Sequence, residues 1–280
     1  MSRPFIEFIQ QQAVPWQQGL YGGARPDVEV RMLSLDDETG ASSLLLRYPP
    51  GWSRSEPEHL LADEELFVLR GELQMNGRAY PQYAYAHLPA GYVRETQASP
   101  GGAEVLAFFS GEPAARPGSG SHQLLDESRL VEYVHALDGD WGGNFHPQFP
   151  PGAGRKFLRR DPHDGEETWV LGTMPLRNGR RPEKHPVVEE MYLLSGELVG
   201  HVGKMRPGAY FWRPPEEWHG PFGSLTGNLM LFRTKGGPLS TVYTEDEVDF
   251  TWMPEHRPVL PPDLEPHGRE PWLGCACGAF

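Results

Sequence analysis

The chain repeats itself at a fixed offset. Residues 57–73 read P-E-H-L-L-A-D-E-E-L-F-V-L-R-G-E-L and residues 182–198 read P-E-K-H-P-V-V-E-E-M-Y-L-L-S-G-E-L. Pro57, Glu58, Glu64, Glu65, Leu69, Gly71, Glu72 and Leu73 each find an identical residue 125 positions later, without a gap. The register continues outside that segment. P-F-I-E-F-I at 4–9 answers R-L-V-E-Y-V at 129–134, Trp16 answers Trp141, and Ala84, Tyr85 and Pro89 answer Ala209, Tyr210 and Pro214. A period this long exceeds those of solenoid repeats and propeller blades, so each copy is expected to be a unit with its own core. A chain of 280 residues, 38% of them apolar, can supply two such cores.

Short runs rich in branched and aromatic residues predict strands at 42–48, 65–70, 104–109, 168–173, 190–195 and 229–234. Turn clusters such as Y-P-P-G-W, M-N-G-R and L-R-N-G-R separate them, drawing on 33 glycines and 29 prolines. An all-β fold is expected. E-S-R-L-V-E-Y-V-H-A-L at 127–137 has a helical period, but its repeat partner P-F-I-E-F-I favours a strand in both copies. The proline-, glycine- and serine-rich stretch 112–123 reads as a linker. This places a first domain at 1–120 and a second at 126–250. Residues 251–280 hold six prolines, too many for a regular element, and read as an extended arm on the body or on a partner subunit.

The formal net charge of −13 would repel a phosphate backbone, so a small-molecule substrate is expected in place of a nucleic acid. No run approaches the roughly 20 apolar residues of a membrane span. The N-terminus lacks the apolar core of a signal peptide, which makes the cytoplasm the expected location. Cys275 and Cys277 both lie in the last six residues, leaving no disulfide for the body; they read as incidental thiols of a terminal tail. A homodimer, with the proline-rich arm embracing a second chain, is an open option.

The two copies differ where chemistry would sit. In the second, Glu183, His185 and Glu189 stand at even spacings, which on extended chain project to one face. The turn R-P-P-E-E-W can return a second strand alongside and bring His219 to the same place. Two imidazoles with one or two carboxylates suit Fe(II), Mn(II), Zn(II), Ni(II) or Cu(II). Three or four protein ligands leave positions open for water, substrate or dioxygen. Trp169, Tyr210, Trp212 and Trp218 are candidates to line an apolar pocket, and Arg177, Arg180 and Arg181 to attract an anionic group. Glu65 and Glu190 fall on the opposite parity and read as surface or supporting residues.

These residues resemble the cupin pattern, G-x5-H-x-H-x3,4-E-x6-G followed by G-x5-P-x-G-x2-H-x3-N. His185-x3-Glu189-x6-Gly196 matches the end of the first motif, and Gly208-x5-Pro214-x4-His219 matches the second. The first histidine of the motif is Glu183 here, the internal glycine of the second is Glu216, and its final asparagine is Gly223. The chain is thus similar to a bicupin, two cupin jelly-roll barrels in tandem. That resemblance implies one divalent metal ion, Fe(II) favoured, held by His185, Glu189 and His219, with Glu183 as a fourth ligand or a base.

By register, the first copy has Leu60 in place of His185 and Arg94 in place of His219, leaving Glu58 and Glu64 without an imidazole between them. His59 sits one residue off, and on a regular strand would face the other way. The first copy is therefore expected to hold no metal, with Arg94 free to pair with Glu58 or Glu64. The leading functional expectation is a dioxygenase-type oxidoreductase with its site in the second copy, Glu183 and Glu189 being the catalytic carboxylates. Redox-neutral isomerase, lyase or hydrolase chemistry and a non-catalytic metabolite sensor are the alternatives.

Overall fold

The computed structural model describes residues 3–18, 25, 27–118, 124–143 and 152–270. Cys275, Cys277, the last proline of the arm and residues 119–123 of the linker lie outside them. Among the described residues the only helices are three 3-10 turns, at Gln11–Ala13, Glu127–Arg129 and Glu265–His267. No helix among them is long and apolar enough to cross a membrane. Each of the six predicted strands is present. The ambiguous segment 127–137 opens with the short 3-10 turn and continues as the strand Val131–His135.

Two compact units result, both antiparallel and each with a principal sheet of the same order. In the first the order runs Val131–His135, Ala84–Leu88, Glu64–Met75, Ala103–Phe109, Ser42–Tyr48, Glu29–Leu35. In the second it runs Ile6–Gln10, Ala209–Arg213, Val188–Gly196, Asn228–Lys235, Glu167–Thr173, Ala153–Arg160. Shorter strands complete each jelly roll. Those of the first unit include Ala115–Pro117, Glu58–Leu60 and Val93–Arg94; those of the second include Arg177–Asn178, Gly223–Ser224, Leu198–Gly200 and the pair Glu183–Lys184 with Val242–Tyr243.

The leading strand of each sequence repeat serves the opposite unit. Ile6–Gln10 pairs with Ala209–Arg213, and Val131–His135 pairs with Ala84–Leu88. A division of the chain into 1–120 and 126–250 therefore does not describe the units. The first is built on Pro15–Gly139, the second on Pro4–Val14 together with the chain from Asp140 onward. The physical reason is edge pairing: a sheet edge accepts any strand with a matching apolar face, however distant in sequence. The proline-rich arm lies on the second unit, where Val259 exchanges backbone hydrogen bonds of 2.8 Å with Glu7 and the Arg257 amide donates to Val202.

Alternation sets the cores. In the first unit Leu44, Leu46, Leu66, Val68, Val105 and Ala107 share the interior, and in the second Trp169, Leu171, Met191, Leu193, Phe211 and Phe232 do. Each of the Leu, Val, Met and Phe side chains among them contributes roughly 1.5–3 kcal/mol when fully buried. The intervening residues are buried as well, Leu45, Phe67 and Leu106 among them. Of the two readings of Glu65 and Glu190, as surface or as supporting residues, this excludes the surface one. Both are buried, Glu65 accepting a hydrogen bond of 2.7 Å from Tyr85 and Glu190 accepting from Tyr210 and Arg233 at 2.5 Å. Their parity does point them away from the site.

Gly71 and Gly196 are required at the matching bends of the two long strands. Each has a positive φ, +74° and +77°, and an added Cβ would lie 2.1 Å and 2.0 Å from the carbonyl oxygens of Gly102 and Gly227. Only glycine permits both the left-handed conformation and that approach.

Candidate metal centre

A backbone bridge assembles the site in the second unit. Glu183 and His219 exchange hydrogen bonds of 2.9 Å, while the Glu216 amide donates to the His185 carbonyl at 2.7 Å. The R-P-P-E-E-W turn thus returns the chain antiparallel to the Glu183 strand, as its prolines suggested. Glu216 takes a positive φ of 67° to do so. Glu189 arrives on the following long strand, opposite Arg213.

All four sequence-chosen residues meet. His185 Nε2 lies 3.6 Å from Glu189 Oε1, and His219 Nε2 lies 3.6 Å from Glu189 Oε2 and 3.9 Å from Glu183 Oε1. Donors bound to one ion at about 2.0–2.2 Å lie within about 4.4 Å of each other, so these separations fit a shared ion. Glu183, His185 and His219 form a group with one ligand atom each, all within 4.8 Å of one another.

The imidazoles are prepared for a ligand. His185 Nδ1 donates to the Ser240 carbonyl at 2.8 Å and His219 Nδ1 to the Glu217 carbonyl at 2.9 Å. A carbonyl can only accept, so Nδ1 carries a proton, and in the neutral imidazole Nε2 is left with a lone pair toward the cluster. Both Nε2 atoms are buried without a hydrogen-bond partner. Burial, followed by Arg213 and His185, holds the His219 imidazole well below its ordinary pKa and therefore neutral at pH 7. Burial also raises the Glu183 carboxyl, with the Glu189 charge adding to it; His185, Arg213 and a hydrogen bond with Tyr243 oppose the rise. Tyr243 is pushed upward in turn, by burial and then by Glu183.

The cluster opens on a cavity of about 430 Å³. Its body is apolar, with Trp169, Phe211, Phe222, Met230 and Phe232 on the wall, and Trp169 stacks on Phe232 at 5.4 Å. Arg177, Arg180 and Arg181 also line it, Arg180 paired with Glu247 at 3.2 Å. Of the four aromatic candidates only Trp169 is on the wall. Tyr210 and Trp212 are buried elsewhere because their strand parity turns them from Phe211, and Trp218 is exposed under the Lys184 ammonium.

Two residues that sequence reasoning passed over belong to the centre. Arg213 donates through Nη1 to Glu189 Oε2 at 2.6 Å and through Nε and Nη2 to Glu7. A signal existed: Arg213 occupies the repeat position of apolar Leu88, just before the shared Pro89 and Pro214.

The first unit fills the equivalent place with ion pairs. Glu58 faces Arg94 across its strand pair, as Glu183 faces His219. Glu64 receives both nitrogens of the Arg25 fork, at 3.0 and 3.1 Å, and Arg94 Nη2 at 2.6 Å. Glu58 accepts from Gln97 at 2.9 Å and pairs with Arg54 at 3.2 Å. The expected pairing of Arg94 is thus with Glu64. Among the described residues neither His59 nor His87 joins a group of three metal-donor side chains.

The jelly-roll units, with a histidine–glutamate cluster that can hold a metal inside the second, define a cupin-fold protein. Solved structures agree. A candidate dioxygenase from Nostoc punctiforme aligns at 21% identity and a TM-score of 0.79, over 88% of this chain and 92% of the other. Oxalate decarboxylase from Bacillus subtilis aligns at 12% identity and 0.56, over 85% and 78%. The coconut allergen cocosin aligns at 9% identity and 0.56, over 85% and 87%. Identities this low speak to the fold alone. No curated protein sequence matches the chain. A family model matches residues 7–240, and the chain belongs to that family, described as a domain of unknown function, DUF4437.

Proposed function

We propose that the chain is a metal-dependent cupin enzyme acting on a small organic molecule, with its working centre in the second unit and a dioxygenase-type oxidation as its reaction. The carrying observation is the pair of buried, unpartnered Nε2 atoms of His185 and His219, converging on the carboxylates of Glu183 and Glu189. Two imidazoles and a carboxylate are the donor set of non-haem Fe(II) oxygen chemistry, which favours iron over manganese, zinc, nickel or copper. His185, His219 and Glu183 would hold the ion, with Glu189 as a fourth donor. The ion would supply Lewis acidity and one-electron chemistry. The candidate dioxygenase among the structural neighbours supports the same reading.

The chain's own residues do the rest. The aromatic wall takes an apolar substrate body and excludes water. Arg177 and the exposed Arg180 and Arg181 attract an anionic group in a molecule otherwise of net charge −13. One observation favours a second, redox-neutral reading: the hydrogen bond between Glu183 and Tyr243, with Glu183 titrating above the ordinary carboxyl range, equips Glu183 to hold and pass a proton.

Metal analysis of freshly purified protein tests the first reading. Wild type is expected to carry about one ion per chain and His185→Ala essentially none; wild type that neither carries nor takes up a divalent ion refutes the proposal. Turnover under air and under argon separates the two reactions, because oxidation stops without dioxygen and proton transfer does not.

A further inference from the structure

We infer that Glu7 is a positioning residue for this centre, acting through Arg213 on Glu189. The inference rests on the metal reading above and adds to it a residue from the far end of the chain.

Glu7 lies on the strand Ile6–Gln10, which pairs with the strand that ends in Arg213. Arg213 presents Nε and Nη2 to the two oxygens of Glu7 and Nη1 to Glu189 Oε2. The side chains are 1%, 2% and 8% exposed, in the order Glu7, Arg213, Glu189. The guanidinium also lies 3.4 Å over the Phe211 ring, so packing fixes its plane. A planar fork fixed by Glu7 and by the Phe211 ring holds its remaining N–H groups in set directions, and one of those on Nη1 meets Glu189. That contact sets which way the Glu189 carboxylate turns, and with it the oxygen 3.6 Å from His185 Nε2.

Charge points the same way. A divalent ion and the Arg213 guanidinium carry three positive charges in a buried site, and Glu183, Glu189 and Glu7 carry three negative ones. Without Glu7 the centre keeps an uncompensated positive charge, and the whole pull of the guanidinium falls on Glu189 in competition with the ion.

The first unit serves as an internal control. The repeat partner of Glu7 is Glu132, about half exposed and paired at the surface with Arg78, and the partner of Arg213 is Leu88, which cannot pair at all. The relay is thus present where two imidazoles converge and missing where Glu64 is tied to arginines.

Titration of the metal-free, full-length protein with Co(II), followed by its visible absorption, tests the inference. Glu7→Gln is expected to bind Co(II) about 10- to 100-fold more weakly, with a shifted absorption band, as changes behind metal ligands do. Glu132→Gln is expected to match wild type. If Glu7→Gln does not fold, the double variant Glu7→Gln with Arg213→Met removes both buried charges together, and the same weakening and shifted band are expected. A folded Glu7→Gln or double variant with wild-type affinity and spectrum overturns the relay alone. Failure of wild type to bind Co(II) overturns the metal reading and the relay with it.

Discussion

Glu64→Gln tests whether buried ion pairs hold the interior of the first unit. Burial alone would raise the Glu64 carboxyl, but the guanidiniums of Arg25 and Arg94 outweigh it and bring it down from 4.5 to about 2. At about 1.4 kcal/mol per pH unit, that gap amounts to about 3 kcal/mol of folding free energy. Because the folded value is the lower one, this stability is fully present above about pH 4.5 and is lost as the pH falls through about 2. At neutral pH glutamine leaves two guanidiniums buried without their anion, at a cost of about 3–5 kcal/mol. Urea denaturation of both proteins at a series of pH values, followed by tryptophan fluorescence, gives the difference directly, since the other carboxylates cancel between them. The difference should be constant from pH 7 to 5 and lose about 3 kcal/mol on acidification toward pH 2. A difference that stays flat down to pH 2.5 refutes the reasoning.

Other outcomes follow from the same structure. Tyr48, buried and accepting a hydrogen bond of 3.0 Å from Arg25, has its hydroxyl pushed up to about 12, chiefly by burial. Its share of stability is present below pH 10 and is lost as the pH rises through about 12; Tyr48→Phe should abolish that alkaline loss in urea titrations at pH 9 and 11.5. Gly196→Ala should cost at least about 2 kcal/mol, from left-handed strain plus collision with a backbone oxygen, whereas Gly77→Ala, with φ +75° but nothing nearby, should cost only about 1 kcal/mol. His219→Ala should abolish stoichiometric metal by elemental analysis while leaving the melting of the first unit unchanged.

The strands were legible because branched and aromatic runs separated by glycine and proline leave few other choices, and S-S-L-L-L-R-Y is a strand at Ser42–Tyr48. His185 and His219 were legible from spacing, since an even interval on extended chain and a proline turn suffice to bring them together. Parity told which face Glu65 and Glu190 take but not that this face is also buried, which depends on what packs there. Glu7 and Arg213 left no local pattern; only the mismatch of Arg213 with Leu88 in the repeat pointed to them. Arg25 lies 39 residues before the Glu64 it clamps, and a lone arginine ahead of a strand reads as any solvated loop residue.

The exchange of leading strands has a consequence for synthesis. Ile6–Gln10 leaves the ribosome some two hundred residues ahead of its partner Ala209–Arg213. The second unit therefore cannot close until Ala209–Arg213 has been made, and for all that time an apolar strand carrying Ile6, Phe8 and Ile9 waits without its sheet. The first unit likewise waits for Val131–His135. Chains cut between the repeats are expected to yield two incomplete sheets, each with an unpaired edge open to the wrong strand, so a nascent-chain chaperone should matter more here than for two barrels that each close on their own.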